Sequence, residues 1–370
     1  MYFPPEVGGL ESHVYYLCRE LVRLGHDVTM VTSRSKPEAK AEEVMDGIRV
    51  VRTWFPARNI AGWATHTFAS IPAYLRRARH ADILHAQDFA SAPPAMVAQR
   101  RWRKPFVLTL HTSHFLRVAK QPLWQPVLRR IIGSADWLLA ASEELRDVGL
   151  GLYPHARAEA LTNGVDTEMF RAVPATLPPR PGGYRLIVPR RLFAKNGVEF
   201  FVRAMPLLRA GADVEANIIG DGPLRPALEA LAHELGVADH THFMGARPNT
   251  EMPGLIASAD AAVIPSLMEA TSIAALEAMS CERPVAASRV GGLPEIVDET
   301  VGTLFEPANP LSLAQAVLAL LRRPDRTSMG ARARSRVVER WSLLRLARRH
   351  VEIYETLLAE HAARQTRAAS

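Results

Sequence analysis

The sequence predicts an α/β protein built as two doubly wound halves, and three observations carry that expectation. Short β-branched and apolar runs alternate with helical periods along the 370-residue chain. Several runs are apolar at every position, as strands covered by helices on both faces of a parallel sheet are. The alternation breaks once, at AVPATLPPRPGG (172–183), where prolines and glycines argue against helix or strand. A chain of this length exceeds the size at which a single core stops growing. The expected domains are therefore 1–171 and 184–340, with a linker at 172–183. An arginine-rich helical tail, 341–370, is expected to pack back toward the first domain.

In the first half the candidate strands are Val28–Thr32 (VTMVT), Ile48–Thr53 (IRVVRT), Ile83–Ala86 (ILHA), Phe106–Leu110 (FVLTL) and Trp137–Ala141 (WLLAA). The second half supplies Leu186–Pro189, Glu215–Ile219, Thr241–Met244, Ala261–Ile264 and Val285–Ala287. Amphipathic periods at Glu11–Leu24, Leu224–Leu235 and Leu311–Leu321 lie between strands. Two such halves enclose a cleft at the carboxyl ends of their strands, where ligands of doubly wound sheets bind.

The net charge of +7 favours anionic ligands or an anionic surface. No basic face interleaved with aromatics stands out, which argues against nucleic acid. Cys18 and Cys281 are far apart, fitting a reducing cytoplasm and no disulfide framework. No uncharged apolar run approaches the ~20 residues of a spanning helix, and the amino terminus lacks a basic-then-apolar signal. Lysine occurs only at 36, 40, 104, 120 and 195, so Lys195 is the sole lysine after position 120.

Several segments carry candidate chemistry. EATSIAALE begins with Glu269 and reaches Glu277 eight positions later. Continuous helix would leave that pair ~12 Å apart along the axis, which excludes an acid/base dyad. The alternative places Glu269 in a loop, with Thr271 or Ser272 capping a helix whose mouth offers the amides of Ala270, Thr271 and Ser272 to an anion. VPRRLFAKNG puts Arg190, Arg191 and Lys195 directly after a strand; a solvated basic turn is the plainer reading. GDGP, with Gly220, starts like a dinucleotide fingerprint but has Arg225 at its third glycine position, so it reads as a close backbone approach. Gly8 and Gly9 precede the first helix, where backbone can approach a phosphate. His111 ends an apolar strand, and His85 and Asp88 hold the equivalent place after another; such histidines are usually structural. In VGGLPEIV, Gly291, Gly292 and Glu295 read as a capped turn.

Read together, these segments resemble the retaining glycosyltransferases of family 4. The resemblance rests on FPPEVGGLESHVYYLCRELVRLGHDVTMVT, LTNGVDTEMF, PRRLFAKNGVEF, IIGDGP and VIPSLMEATSIAALEAMSCERPVAASRVGGLPEIV, in that order along nearly the whole chain. It implies a GT-B fold, two Rossmann-like domains facing across a cleft, and a nucleotide-sugar donor, UDP-linked first and GDP-mannose second. It also implies roles. Glu269 with Ala270, Thr271, Ser272 and Ile273 would hold the donor sugar and its diphosphate, and Glu277 the ribose. Arg190, or Arg191 in its place, and Lys195 would neutralise the departing diphosphate. Gly220 would line the donor site, Gly8 and Gly9 would approach from the other domain, and His111 would bond the transferred sugar. Such cations explain why the family needs no metal, and no cofactor beyond the co-substrate is implied.

The chain departs from the family pattern in three ways. Gln87 stands where a second histidine is frequent. Ala-Thr-Ser follows Glu269 in place of a glycine-containing version. Only Met1 precedes Tyr2, where the family has a central apolar strand. Without that strand, the Val28–Thr32 and Ile83–Ala86 strands are expected about 9–10 Å apart, twice the normal spacing. A chain start miscalled downstream of the natural one would account for it. Rival readings are a nucleotide-sugar epimerase or hydrolase, a pyridoxal-dependent phosphorylase, and a non-catalytic sugar-nucleotide-binding module. The acceptor, whether glycan, lipid-linked or small molecule, is not named by any motif. The aromatic and basic stretch Arg52–Phe68 could grip a lipid-linked or aromatic acceptor or meet a membrane surface, placing the protein at the inner face of the membrane; local packing of its aromatics is the more ordinary reading.

Overall fold

The structure is a computed structural model that describes residues 3–5, 9–36, 38–57, 60–111, 113–269 and 271–369. It divides into two compact units, Met1–Gly164 with Leu343–Ser370, and Val165–Ser342. The proline-rich segment 172–183 lies inside the second unit.

In the first unit the strands are β1 (Thr29–Arg34), β2 (Glu42–Met45), β3 (Ile48–Trp54), β4 (Leu84–Gln87), β5 (Phe106–Leu110), β6 (Trp137–Ala140) and β7 (Ala158–Ala160). Its helices are α1 (Gly9–Arg23), α2 (Ile60–Ala78), α3 (Ala92–Trp102), α4 (Ser113–Ala119), α5 (Gln125–Ile132) and α6 (Glu143–Leu152). The strands form two sheets, β1-β3-β2 and β4-β5-β6-β7. All ladders are parallel except β2–β3, a hairpin absent from the sequence expectation. Its signal was available: Asp46-Gly47, both at positive φ (48° and 81°), is the two-residue turn that matches strand twist. Among the described residues β1 and β4 are not bonded to each other and no strand bridges them. A cavity is bordered by Met30 and Val31 of β1, His85 and Ala86 of β4, and Tyr74 of α2.

The second unit holds β8 (Tyr184–Pro189), β9 (Val214–Ile219), β10 (Thr241–Gly245), β11 (Ala261–Ile264), β12 (Val285–Ser288) and β13 (Gly302–Phe305). They form one parallel sheet in the order β10-β9-β8-β11-β12-β13. Around it run α7 (Val198–Gly211), α8 (Arg225–Glu234), α9 (Met252–Ala257), α10 (Ile273–Ser280), α11 (Leu293–Ile296), α12 (Pro310–Leu321) and α13 (Arg326–Trp341). Side chains alternate across a strand, so one strand serves two cores. Leu186 and Val188 enter a cluster with Phe201 and Met205, while Ile187 enters another with Leu276 and Met279. That double burial is why these strands read as unbroken apolar runs.

The last helix, α14 (Leu343–Ala369), belongs to the first unit. Leu343, Leu346 and Ala347 pack on Leu17 and Leu21 of α1, and Ile353 and Leu357 on Val107, Trp137 and Leu139. In the Arg52–Phe68 stretch, Phe55, Trp63 and His66 pack on one another with ring centroids 5.0–5.9 Å apart, while Trp54 and Phe68 are exposed. Arg58 and Asn59 lie outside the described residues. Among the described residues no helix is long and apolar enough to cross a membrane.

Ile353 is fully buried between α14 and the β4–β7 sheet. Ile353→Ala should destabilise the first unit by about 2–5 kcal/mol. Urea melts followed by hydrogen exchange should place the loss in residues 1–164 and 343–370, leaving protection of the second sheet unchanged.

Candidate functional site

The second sheet grows outward in both directions from the β8–β11 pair. Loops leaving those two strands diverge, and the crevice they leave at the carboxyl end is where open α/β sheets bind ligands. Arg190 follows β8, and Ser266 and Glu269 follow β11. The Arg190 Nη2 donates to both Ser266 Oγ and Glu269 Oε2, and Ser266 Oγ donates to Glu269 Oε2 at 3.3 Å. The paired side chains are 10% and 18% exposed. Removing two charges from water to this extent is costly, so such a pair is weak evidence for stability and better evidence for a site. Of the two adjacent arginines, Arg190 turns to Glu269; Arg191 is exposed and sits over the Phe193 ring.

Three glycines let backbones meet around this pair. Lys195 lies in a single 3-10 turn, and its carbonyl accepts the amides of Leu267 (2.8 Å) and Met268 (3.3 Å), tying the lysine turn to the Glu269 loop. Gly197 closes that turn at φ 64°, where a Cβ would stand 1.9 Å from the Pro265 carbonyl oxygen. Gly220 ends β9 at φ 145°, its missing Cβ 2.1 Å from the Arg190 carbonyl. This is the close approach that GDGP foreshadowed. Gly291, at φ 50°, would bring a Cβ within 1.6 Å of the Glu269 carbonyl. The capped-turn reading of VGGLPEIV missed this, because nothing in the sequence says which loop lies on that glycine.

Helix α10 begins at Ile273, and Ser272 caps it: its Oγ accepts the Ala275 amide at 3.3 Å. The helical amides without intrahelical partners are therefore those of Ile273 and Ala274, one turn beyond the expected 270–272. Thr271 is buried, and its Oγ1 has no partner among the described residues. Ala270 lies outside them. The side chain of Glu277, one turn into α10, makes no hydrogen bond among the described residues. Burial pushes its carboxyl up to about 8, and the Arg190 charge opposes that rise. With its pKa raised in this way the carboxyl keeps its proton at neutral pH and can both donate and accept.

In the first unit, His111 follows β5 and Gln87 ends β4. His111 Nε2 lies 2.7 Å from Gln87 Oε1. A carboxamide oxygen only accepts, so Nε2 carries the hydrogen and Nδ1 keeps a lone pair. That Nδ1 is buried, and the Asn163 side chain also interacts with the ring, opposing the fall in its pKa. Burial and the nearby His350 push His111 down to about 3, so the ring is neutral at physiological pH. His85 is used structurally, bonded to Tyr354 Oη (2.7 Å) and Thr109 Oγ1 (2.6 Å). Asp88 turns back on itself, accepting the Phe89 amide at 2.7 Å. Gly9 opens α1, and Gly8 lies outside the described residues.

Comparison with known proteins gives a consistent result. Residues 183–323 match the family described as Glycosyl transferases group 1, and residues 7–169 match Glycosyltransferase Family 4. Glycogen synthase of Mycobacterium tuberculosis is 29% identical over 98% of this chain and 94% of its own. The GDP-mannose-dependent alpha-(1-6)-phosphatidylinositol monomannoside mannosyltransferase of the same species is 32% identical over 92% of both. Among solved structures, sucrose-phosphate synthase from Thermosynechococcus elongatus superposes with a TM-score of 0.83 at 21% identity, covering 96% of this chain and 94% of that one. Anabaena HepE, solved with UDP and glucose, gives 0.74 at 19% identity, covering 95% and 96%.

Two outcomes follow from the geometry. Gly291→Ala forces a left-handed alanine, costing roughly 1–2 kcal/mol, and drives its Cβ into the Glu269 carbonyl. Its crystal structure should show the Glu269 loop displaced and Arg190 parted from Glu269. Glu277 has its folded-state pKa raised from 4.5 to about 8, so its contribution is fully present below 4.5 and lost as pH rises through 8. Thermal melts across that window should show Glu277→Gln becoming more stable than wild type as pH rises, with no difference at acid pH.

Proposed function

The chain belongs to the family 4 glycosyltransferases and has the GT-B fold, and we propose that it moves a hexose from a UDP-sugar to an acceptor, without a metal and with retention at the anomeric carbon. The observation that carries this reading is the Arg190–Ser266–Glu269 cluster, stapled to the Lys195 turn and set near the Glu277 carboxyl. An arginine, the turn that carries Lys195, a helix mouth and a carboxyl close to one strand-end crevice are the groups that suit a nucleoside diphosphate.

Glu277 accepts hydrogen bonds from the ribose hydroxyls. Arg190 and Lys195 take up charge as the diphosphate leaves, aided by the amides at Ile273 and Ala274 and by the Thr271 hydroxyl. The donor-binding set also includes Gly220, Ser272 and Arg191, with Gly8, Gly9 and Ala270 carried from the family pattern. Glu269 holds the sugar, exchanging its contact with Arg190 for sugar hydroxyls. His111 accepts a sugar hydroxyl at Nδ1. The bond from the anomeric carbon to the β-phosphate oxygen breaks, and the acceptor oxygen bonds the same face. The acceptor proton passes to the leaving phosphate. Charge stabilisation by preorganised groups is the main catalytic contribution, and no protein nucleophile is used.

A GDP-mannose donor is the second reading, favoured by the mannosyltransferase at 32% identity. Incubation with UDP-glucose, UDP-galactose, UDP-N-acetylglucosamine and GDP-mannose, read by mass spectrometry, separates the two. Slow release of UDP is expected. Turnover of GDP-mannose alone would move the assignment to the second donor, and an epimerised sugar nucleotide would make the protein an epimerase. No consumption of any donor would favour a binding module.

Lys195→Ala should abolish transfer with the fold intact, and Lys195→Arg should rescue only in part, because a planar fork cannot replace a compact ammonium. Circular dichroism and turnover together check this. Above pH 8, where the carboxyl is ionised, Glu277→Gln should weaken free UDP by about 1–3 kcal/mol in calorimetry, the worth of hydrogen bonds to a charged group.

A further inference from the structure

Between Asp88 and Asp136 the chain carries eight arginines and lysines and no carboxylate, against a net charge of +7 for all 370 residues. Part of this excess surrounds an apolar tip. Helix α5 buries Leu128, Ile131 and Ile132 and leaves Val127, Arg129 and Arg130 exposed. The turn entering it presents Leu123, 91% exposed, and Trp124, 44% exposed; Val127 is 46% exposed. Lys120 is exposed just before them. Lys120, Arg129 and Arg130 have no ion-pair partner among the described residues.

Single exposed apolar side chains are ordinary, but a leucine, a tryptophan and a valine within five residues, whose only charged neighbours in the segment 120–130 are cations, form a patch. We propose that the Lys120–Arg130 surface docks on an anionic lipid bilayer. Leu123, Trp124 and Val127 enter the headgroup region, and Lys120, Arg129 and Arg130 stay at the phosphate level. Tryptophan prefers that interface, and cations beside an anionic leaflet each add to the attraction. A nucleic acid would satisfy the cations yet leave Leu123 and Val127 in water. This site is distinct from Arg52–Phe68, whose aromatics are partly consumed in their own packing, and it does not depend on the donor assignment.

The test is sedimentation of the full chain with vesicles of phosphatidylcholine alone or mixed two-to-one with phosphatidylglycerol. Binding to the mixed vesicles only, weakened at least tenfold in both Leu123→Ser/Trp124→Ser and Arg129→Glu/Arg130→Glu, is expected; unchanged melting curves show that both variants fold. Brominated acyl chains should quench fluorescence in wild type but not in Trp124→Phe. No binding to anionic vesicles overturns the proposal. So does binding that both double variants retain, equal binding to pure phosphatidylcholine, or tighter binding to duplex DNA than to vesicles.

Discussion

The adjacency of β8 and β11 governs the candidate site. In a parallel sheet wound outward from its middle, the two central strands send their following loops to opposite sides and leave a crevice between them. Arg190 and Glu269 are 79 residues apart in sequence and meet because their strands are neighbours. The pair, the Lys195 turn and the mouth of α10 are all consequences of that one strand order. Their charges are arranged by rigid sheet ends, so little reorganisation is needed when an anion arrives.

Backbone contact, more than side-chain packing, sets the spacing of these loops. Gly197, Gly220 and Gly291 each place bare backbone against the carbonyl of a neighbouring loop, on Pro265, Arg190 and Glu269 in turn. Two of those carbonyls belong to the residues that form the central ion pair. The glycines thus act on position: they determine where the charged groups stand. Glu277 shows the complementary constraint. Its carboxyl takes no hydrogen bond among the described residues, and burial raises its pKa to about 8.

The first unit uses the opposite electrostatic solution. His13, His85, His111 and His350 are buried together and all are driven below their usual range by burial, so the group is neutral. Ring centroids of His13 and His111 are 5.1 Å apart, and those of His85 and His350 are 5.6 Å apart. Gln87 fits this environment, since its carboxamide fixes the His111 tautomer without adding charge. The α14 helix contributes His350 and Tyr354 to the group, making the carboxyl end of the chain part of the amino-terminal unit.

The sequence by itself determined the α/β class, the two doubly wound halves and the family, because alternation of buried strands with helices and the order of motifs are local, one-dimensional signals. It also placed Arg190, Lys195, Glu269 and Glu277 after strands or at a helix, since strand ends can be read from where apolar runs stop. It did not reveal the β2–β3 hairpin with its Asp-Gly turn, or that residues 165–183 pack with the second unit. Only tertiary structure decided that Arg190 and not Arg191 faces Glu269, that Ser272 is the cap, and that Gly291 lies under the Glu269 carbonyl. Those outcomes depend on strand order and loop-on-loop contact between residues far apart in the chain, and no local pattern encodes which distant backbone will come within van der Waals reach.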